Sequence, residues 1–208
     1  MGIKVTGVYL AAGQSRRMGV PKLSIPLNNK GKMGGFAFAR ALESGLNHIV
    51  VVLREGGLPD WLPYQEDDSV LQYRCSFVVA AEAERGMAYS LQTGLQAAVE
   101  EDVPDAILVV LADQPFINTE MLDRLIHVFE SDPSLDYVAC GDKGVAKPPV
   151  LLAASMFEAL RGLKGDEGAR KLLLQPEFRG RMLEESDQRL FVDLDTPQDV
   201  EMFSCIDK

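Results

Sequence analysis

Two uninterrupted apolar runs, residues 48–54 (HIVVVLR) and 105–112 (DAILVVLA), constrain what this chain can fold into more than any other feature. Their β-branched residues are not interleaved with polar ones, so each reads as a parallel strand covered on both faces. Residues 3–10 read as a further buried strand through Ile3, Val5, Val8 and Leu10. Shorter strands are expected at 76–80, 136–140 and 150–152, with 189–194 closing the sheet. Helical patterns lie over about 36–46, 89–100, 155–163 and 166–174. Another helix starts at Asn118 or Thr119 and runs to Glu130, with Met121, Leu122, Leu125, Ile126 and Phe129 on one face. Residues 55–74 hold Gly56, Gly57, Pro59 and Pro63 and form the least regular stretch. No long linker or repeat interrupts the pattern. It predicts one α/β domain, with a mainly parallel sheet, helices on both faces and ligands at the C-terminal strand ends.

Composition narrows the function classes. The 208 residues are 47% hydrophobic and 25% charged, ordinary globular usage with enough apolar bulk for one core. No apolar run approaches the roughly 20 residues that span a bilayer. Residues 1–10 read as no signal peptide, because Lys4 and Thr6 interrupt them. Cys75, Cys140 and Cys205 are far apart with no CxxC pair. This argues against a disulfide framework or cysteine zinc site and for a cytoplasmic location. With only His48 and His127, both read as bland, the chemistry is expected to run without histidine. His48 is expected in solvent and Cys140 as a small buried hydrophobe.

The net charge of −10 disfavours nucleic acid and anionic membrane as partners. Yet Lys4, Arg16, Arg17, Lys22, Lys30, Lys32 and Arg40 all precede Glu43, the first acidic residue. A basic segment in an acidic chain suits a small anion; a solvated face is the plainer account.

Three loops fall at the expected strand ends. The first, 10–22 (LAAGQSRRMGVPK), combines small residues that let a ligand approach the backbone with Ser15, Arg16, Arg17 and Lys22. Arginine suits bidentate phosphate binding and lysine acts as a point charge. The GxxxxGK[ST] and GxGxxG patterns are both absent. In the second loop, 112–115 (ADQP), Asp113 directly follows the strongest strand. A carboxylate there fits a Mg²⁺ ion shared with substrate phosphates, or an Asx-turn leading to Pro115. The third, 192–199 (VDLDTPQD), starts a helix with Thr196 as cap and Asp199 completing a capping-box-like start. The cap leaves Asp193 and Asp195 unexplained, and one of them can face the edge that carries Asp113.

LAAGQSRRMGVPK resembles the N-terminal signature of MobA-like nucleotidyltransferases, written LAAGxSxRMGxxK. Within that group the chain is similar to the molybdenum-cofactor cytidylyltransferases of MocA and PucB type, the latter linked to purine catabolism. GMAYSLQTGL (86–95), ADQP (112–115), GDEGARKLL (165–173) and VDLDTPQD (192–199) extend the resemblance through most of the chain. It implies a Rossmann-like three-layer α/β/α nucleotidyltransferase over 1–208, with an NTP-binding half (1–115) and an acceptor-binding half (116–208). Carried over by position, Leu10, Ala11, Ala12, Gly13, Ser15 and Arg16 would hold the nucleotide and its triphosphate. Gly86, Met87 and Ser90 would lie near base and ribose. Arg17, Lys22 and Asp113 would be catalytic, with Mg²⁺ on Asp113 and Asp195, Asp193 being the second choice. Alanine at the position of Ala12 goes with cytidylyl transfer in this family and glycine with guanylyl transfer. The implied reaction joins CTP to the terminal phosphate of molybdopterin, with docking to a molybdenum hydroxylase such as xanthine dehydrogenase as a further implied partnership.

Departures from the family pattern bear on the acceptor. Ala88 and Tyr89 replace small hydroxyl residues, Lys147-Pro148-Pro149 replaces a Gly-His-Pro run, and the Gly34-Gly35 pair is unusual. Residues 165–168 (GDEG) read as an acceptor-site loop, with Arg170 meeting an anion, or as a plain helix–helix turn. Other readings are a guanylyltransferase or sugar-phosphate nucleotidyltransferase on the same fold, or a non-catalytic cofactor-delivery chaperone. A glycosyltransferase is disfavoured, because Asp113-Gln114-Pro115 stands where a DxD motif would.

Overall fold

The computed structural model describes residues 2–13, 19–27, 30–63, 69–196 and 198–200. Among them, seven strands form one sheet: β1 (Val5–Ala11), β2 (His48–Leu53), β3 (Cys75–Val79), β4 (Ala106–Leu111), β5 (Tyr137–Asp142), β6 (Val145–Ala153) and β7 (Gly180–Glu184). The helices are α1 (Met33–Glu43), α2 (Ser69–Arg74), α3 (Met87–Glu101), α4 (Thr119–Ser131), α5 (Phe157–Arg161) and α6 (Arg170–Leu173). The strand order is β3-β2-β1-β4-β6-β5-β7, with β1 parallel to both β2 and β4. β6 runs antiparallel to its two neighbours.

The unbroken apolar runs now have their reason. Side chains alternate across a strand, and here each face has its own core. Val5, Tyr9, Ile49, Val51 and Leu108 pack under α1 and α4. Val8, Val50, Val52, Ile107 and Val109 pack under α3, α5 and α6. Asn118 is the cap of α4, its Oδ1 accepting from Met121 N at 2.8 Å.

Several expectations need correction. Residues 189–194 do not close the sheet: Gln188–Phe191 form a 3₁₀ turn in which Asp187 accepts from Arg189 N at 3.0 Å. β7 closes it instead, paired parallel with β5. Its sequence, GRMLE, carries no run of β-branched residues, because the ladder to β5 supplies the order. Residues 166–174 are helical only at α6, and the irregular 55–74 stretch ends in α2. His48 is not in solvent: its Nε2 lies 2.9 Å from Glu101 Oε2 and 3.0 Å from Ser76 Oγ. Cys140 is fully buried, as expected.

Two of the departures acquire structural causes. Pro148 and Pro149 cannot donate to a ladder. The β4–β6 pairing accordingly stops at Val109↔Val150, and the β5–β6 register jumps from Ala139↔Val150 to Cys140↔Lys147. The sheet opens there, at the C-terminal end of β4. The Gly34-Gly35 pair admits Trp61, which packs with Tyr9 and Phe38 at centroid distances of 5.9 and 6.0 Å. A Cβ on Gly34 would sit 2.6 Å from the Trp61 ring, and one on Gly35 would sit 2.7 Å from the Trp61 carbonyl oxygen. Gly34→Ala is expected to cost about 1–3 kcal/mol through overpacking. A lowered urea midpoint, with a shift in the emission of the single tryptophan, would register it.

Candidate functional site

β1 and β4 run in register through Leu10↔Leu111, so the loops leaving them emerge side by side. Ala112 N donates to Leu10 O at 3.2 Å, which sets Asp113 beside the small-residue loop. The 193–195 segment reaches the same point from the far end of the chain. Leu194, 1% exposed, packs with Leu27 and Met33, and its N–H donates to Asp113 O at 3.1 Å. Asp199 steadies the turn after it: its Oδ2 accepts from Asp195 N at 3.0 Å and Thr196 N at 2.7 Å. Thr196 Oγ1 accepts in return from Asp199 N at 3.3 Å, the reciprocal cap read from TPQD. Pro197 lies outside the described residues.

Lys22 ties these loops together. Its Nζ donates to Asp113 Oδ2 at 2.7 Å and to Asp195 Oδ1 at 2.6 Å. Burial pulls the ammonium pKa down, but Asp113 and then Asp195 outweigh it and hold the group above its ordinary value. Lys22 is therefore a cation throughout the neutral range.

Asp193 is held differently. Its Oδ1 accepts from Gln114 Nε2 at 2.9 Å. Desolvation, followed by the charge of Asp113, raises its carboxyl above the usual carboxylate value. A raised carboxyl binds its proton more tightly in the folded chain than in the unfolded one. Its charge thus costs stability at neutral pH, and the cost fades as pH falls through the raised value toward 3.8. Asp193→Asn keeps an acceptor for Gln114 and is expected to raise the urea midpoint at pH 7 more than at pH 4. An equal change at both pH values would contradict this assignment.

A cleft of about 310 Å³ opens beside Asp113. Leu10, Ala12 and Gly13 form one wall, and Gly86, Met87 and Ser90 at the start of α3 form another. Glu84 and Asp166 complete it. On the other side of the small-residue loop, Ala11, Gly13 and Lys22 line a second cleft of about 710 Å³. Its far wall is residues 53–61, a stretch to which the sequence assigned no role. Ser15, Arg16 and Arg17 lie outside the described residues.

Three site features were not read from the sequence. Gln114, inside ADQP, is 2% exposed and its Oε1 has no partner among the described residues. Asp166 lines the cleft with Gly86 and Ser90, although GDEG read as an acceptor loop or a turn. Ala88 and Tyr89 do not face the cleft: Ala88 is fully buried in the core, and Tyr89 stacks against Arg85 at 4.2 Å. Among the described residues, no three histidine, cysteine or carboxylate groups converge as a metal site by themselves. No helix among them is long and apolar enough to cross a membrane.

Comparison with known proteins matches this geometry to a group. Residues 7–180 match the model of the MobA-like NTP transferase domain. Purine catabolism protein PucB of Bacillus subtilis is 35% identical over 198 residues, 94% of each chain. The crystal structure of Rv0371c from Mycobacterium tuberculosis has a TM-score of 0.76 at 23% identity, covering 98% of this chain and 99% of that one. The same protein in complex with manganese gives a TM-score of 0.71 at 22% identity, covering 96% and 97%. Molybdopterin-guanine dinucleotide biosynthesis protein A from Archaeoglobus fulgidus gives 0.66 at 17% identity, with 97% of each chain covered.

Proposed function

Because the chain belongs to the MobA-like NTP transferase family, we propose that it moves a cytidylyl group from CTP to the terminal phosphate of molybdopterin in a Mg²⁺-dependent reaction. The observation that carries this reading is Lys22, which lines the 710 Å³ cleft and is clasped by Asp195 and by Asp113, a residue of the 310 Å³ cleft. Similarity to PucB connects the reading to purine catabolism.

The residues fit the metal. Oxygens of Asp113 and Asp195 both lie within 2.7 Å of one cation, the Lys22 ammonium. Mg²⁺ is commonly held by one or two carboxylates plus substrate phosphates, so two hard oxygens suffice. Asp195 is the partner of Asp113 in this reading, because Asp193 is engaged by Gln114. When bound, Mg²⁺ supplies charge neutralisation on the triphosphate.

The chain does the positioning. Among the described residues the charged side chains on the cleft wall, Glu84, Asp113 and Asp166, are acidic, which suits that part of the cleft to a nucleoside. Phosphates are drawn to Lys22, and Arg16 and Arg17 in the same stretch of sequence add the positive charge that suits them. An oxygen of the acceptor phosphate bonds to the α-phosphorus of CTP. The bond to the bridging oxygen breaks, and its electron pair leaves on pyrophosphate. The acceptor phosphate is largely dianionic near neutral pH, so no protein base is required. Lys22 and Arg17 hold the charge that builds on the departing group. Ala12 lines the cleft, and alanine at this position is what the family resemblance links to cytidylyl transfer.

Calorimetric titration with CTP and GTP in Mg²⁺ tests the donor. Mg²⁺-dependent preference for CTP, lost in Asp113→Ala, is the expected result. Preference for GTP would overturn the choice of base while leaving nucleotidyl transfer in place. Pyrophosphate release with molybdopterin, compared with sugar phosphates, tests the acceptor.

A further inference from the structure

We propose that Asp166 is a specificity residue that selects nucleobases bearing an amino group and rejects uracil; this rests on the nucleotide reading of the cleft. The loop carrying Asp166 is seated on the start of α3, backbone against backbone. Gly165 O accepts from Ala88 N at 3.0 Å. Gly86, at φ +128°, approaches so closely that a Cβ there would lie 2.1 Å from the Gly165 carbonyl carbon and 2.6 Å from Asp166 N. Asp166 is thus fixed relative to Gly86 and Ser90 on the same cleft wall. Glu84, the other acidic residue on that wall, stands on a 3₁₀ turn, and both it and Asp166 are exposed to the cleft opening.

The position within the cleft follows from sheet order. Asp113 and Lys22 mark the reacting end at β4, whereas Gly86 and Ser90 belong to the start of α3 and Asp166 to the loop seated on it. A nucleotide whose phosphates meet Lys22 therefore presents its base toward Asp166. Two further observations point to a nucleoside there. Ser90 is 6% exposed and lines the cleft, its hydroxyl having no hydrogen-bond partner among the described residues. The Ala88 N–H, which could otherwise serve a phosphate at the helix start, is taken by Gly165 O.

An ionised carboxylate only accepts hydrogen bonds. Cytosine, adenine and guanine each offer an exocyclic amino group, while uracil presents a carbonyl oxygen that Asp166 would oppose. Discrimination therefore comes from an unfavourable contact as much as from a favourable one.

Equilibrium titration of wild-type protein, Asp166→Asn and, as a control, Glu158→Gln on the exposed face of α5 outside the cleft, with CTP and UTP, each with Mg²⁺, tests this. Wild-type protein is expected to favour CTP by about tenfold or more, the effect of one charge-assisted hydrogen bond. The amide introduced by Asp166→Asn can turn its NH₂ toward O4 of uracil, so this variant should lose most of that preference by gaining UTP affinity. Glu158→Gln should keep it, and the urea midpoints should agree. Equal wild-type affinity for CTP and UTP, or an unchanged ratio in Asp166→Asn, would overturn the inference. Mg²⁺-dependent binding that is still abolished by Asp113→Ala would then leave the nucleotide reading standing. Failure of wild-type protein to bind any nucleotide would overturn both.

Discussion

Asp113→Ala is expected to lower pyrophosphate release by about a thousandfold or more, the scale seen when a preorganised charge at a reacting centre is lost. The fold should persist, because Asp113 is on the loop after β4 and not in either core. Its carboxylate does two things. It accepts from the Lys22 ammonium at 2.7 Å, and in the proposed reading it would share Mg²⁺ with Asp195. Removing it takes one carboxylate from Lys22 and, in the proposed reading, one from the metal. Arg17→Ala should also lose transfer, through the charge on the departing pyrophosphate. Lys22→Ala should be comparably damaging for a different reason: Asp113 and Asp195 would face each other without the cation between them. Turnover at saturating Mg²⁺, with far-ultraviolet dichroism as a check on folding, measures all three. Unimpaired turnover in Asp113→Ala and Arg17→Ala would remove the mechanism.

Gly86→Ala is expected to be the most disruptive of the small substitutions. The residue has φ +128°, a conformation that L side chains rarely adopt, and its added Cβ would meet backbone atoms of Gly165 and Asp166 at 2.1–2.6 Å. No rotamer change relieves a clash with backbone. Either the 165–168 loop lifts off α3, giving up the Gly165 O to Ala88 N bond, or α3 starts later and Ser90 moves. A cost of about 2–4 kcal/mol is expected from strain and overpacking combined. Nucleotide affinity should fall with it, since Gly86, Ser90 and Asp166 share the cleft. Urea unfolding and nucleotide titration read the two effects separately. Unchanged stability together with unchanged affinity would mean that the loop is not seated on Gly86.

Much of the fold is legible in the sequence because burial leaves a periodic trace. The runs HIVVVLR and DAILVVLA announce β2 and β4, since strands covered on both faces need no polar residue. The apolar stripe of α4 and its Asn118 cap are equally local. β7 is not legible in this way. Four of its five residues are exposed, and it is a strand because β5 offers a ladder. Nor can a local pattern show that 189–194 turns away from the sheet, where Asp187 and Arg189 make a turn of their own.

The site divides along the same line. Small residues, basic residues and an aspartate after a strand show in the sequence that 10–22 and 112–115 are suited to a phosphate-bearing ligand and a hard cation. Those choices are chemical, and chemistry is carried by residue type. Which aspartate joins Asp113 is a matter of distance. The tertiary structure brings Asp195 to Lys22 across 173 positions and gives Asp193 to Gln114. It also brings Asp166 to the wall that Ser90 lines, a pairing of distant segments made where Gly86 and Ala88 meet the backbone of Gly165. Side-chain type and local periodicity are properties of short stretches, so the sequence alone determined the βα alternation and the character of the loops. Proximity between remote stretches arises only when both faces of the sheet are packed, and the tertiary structure alone decided which of those residues meet.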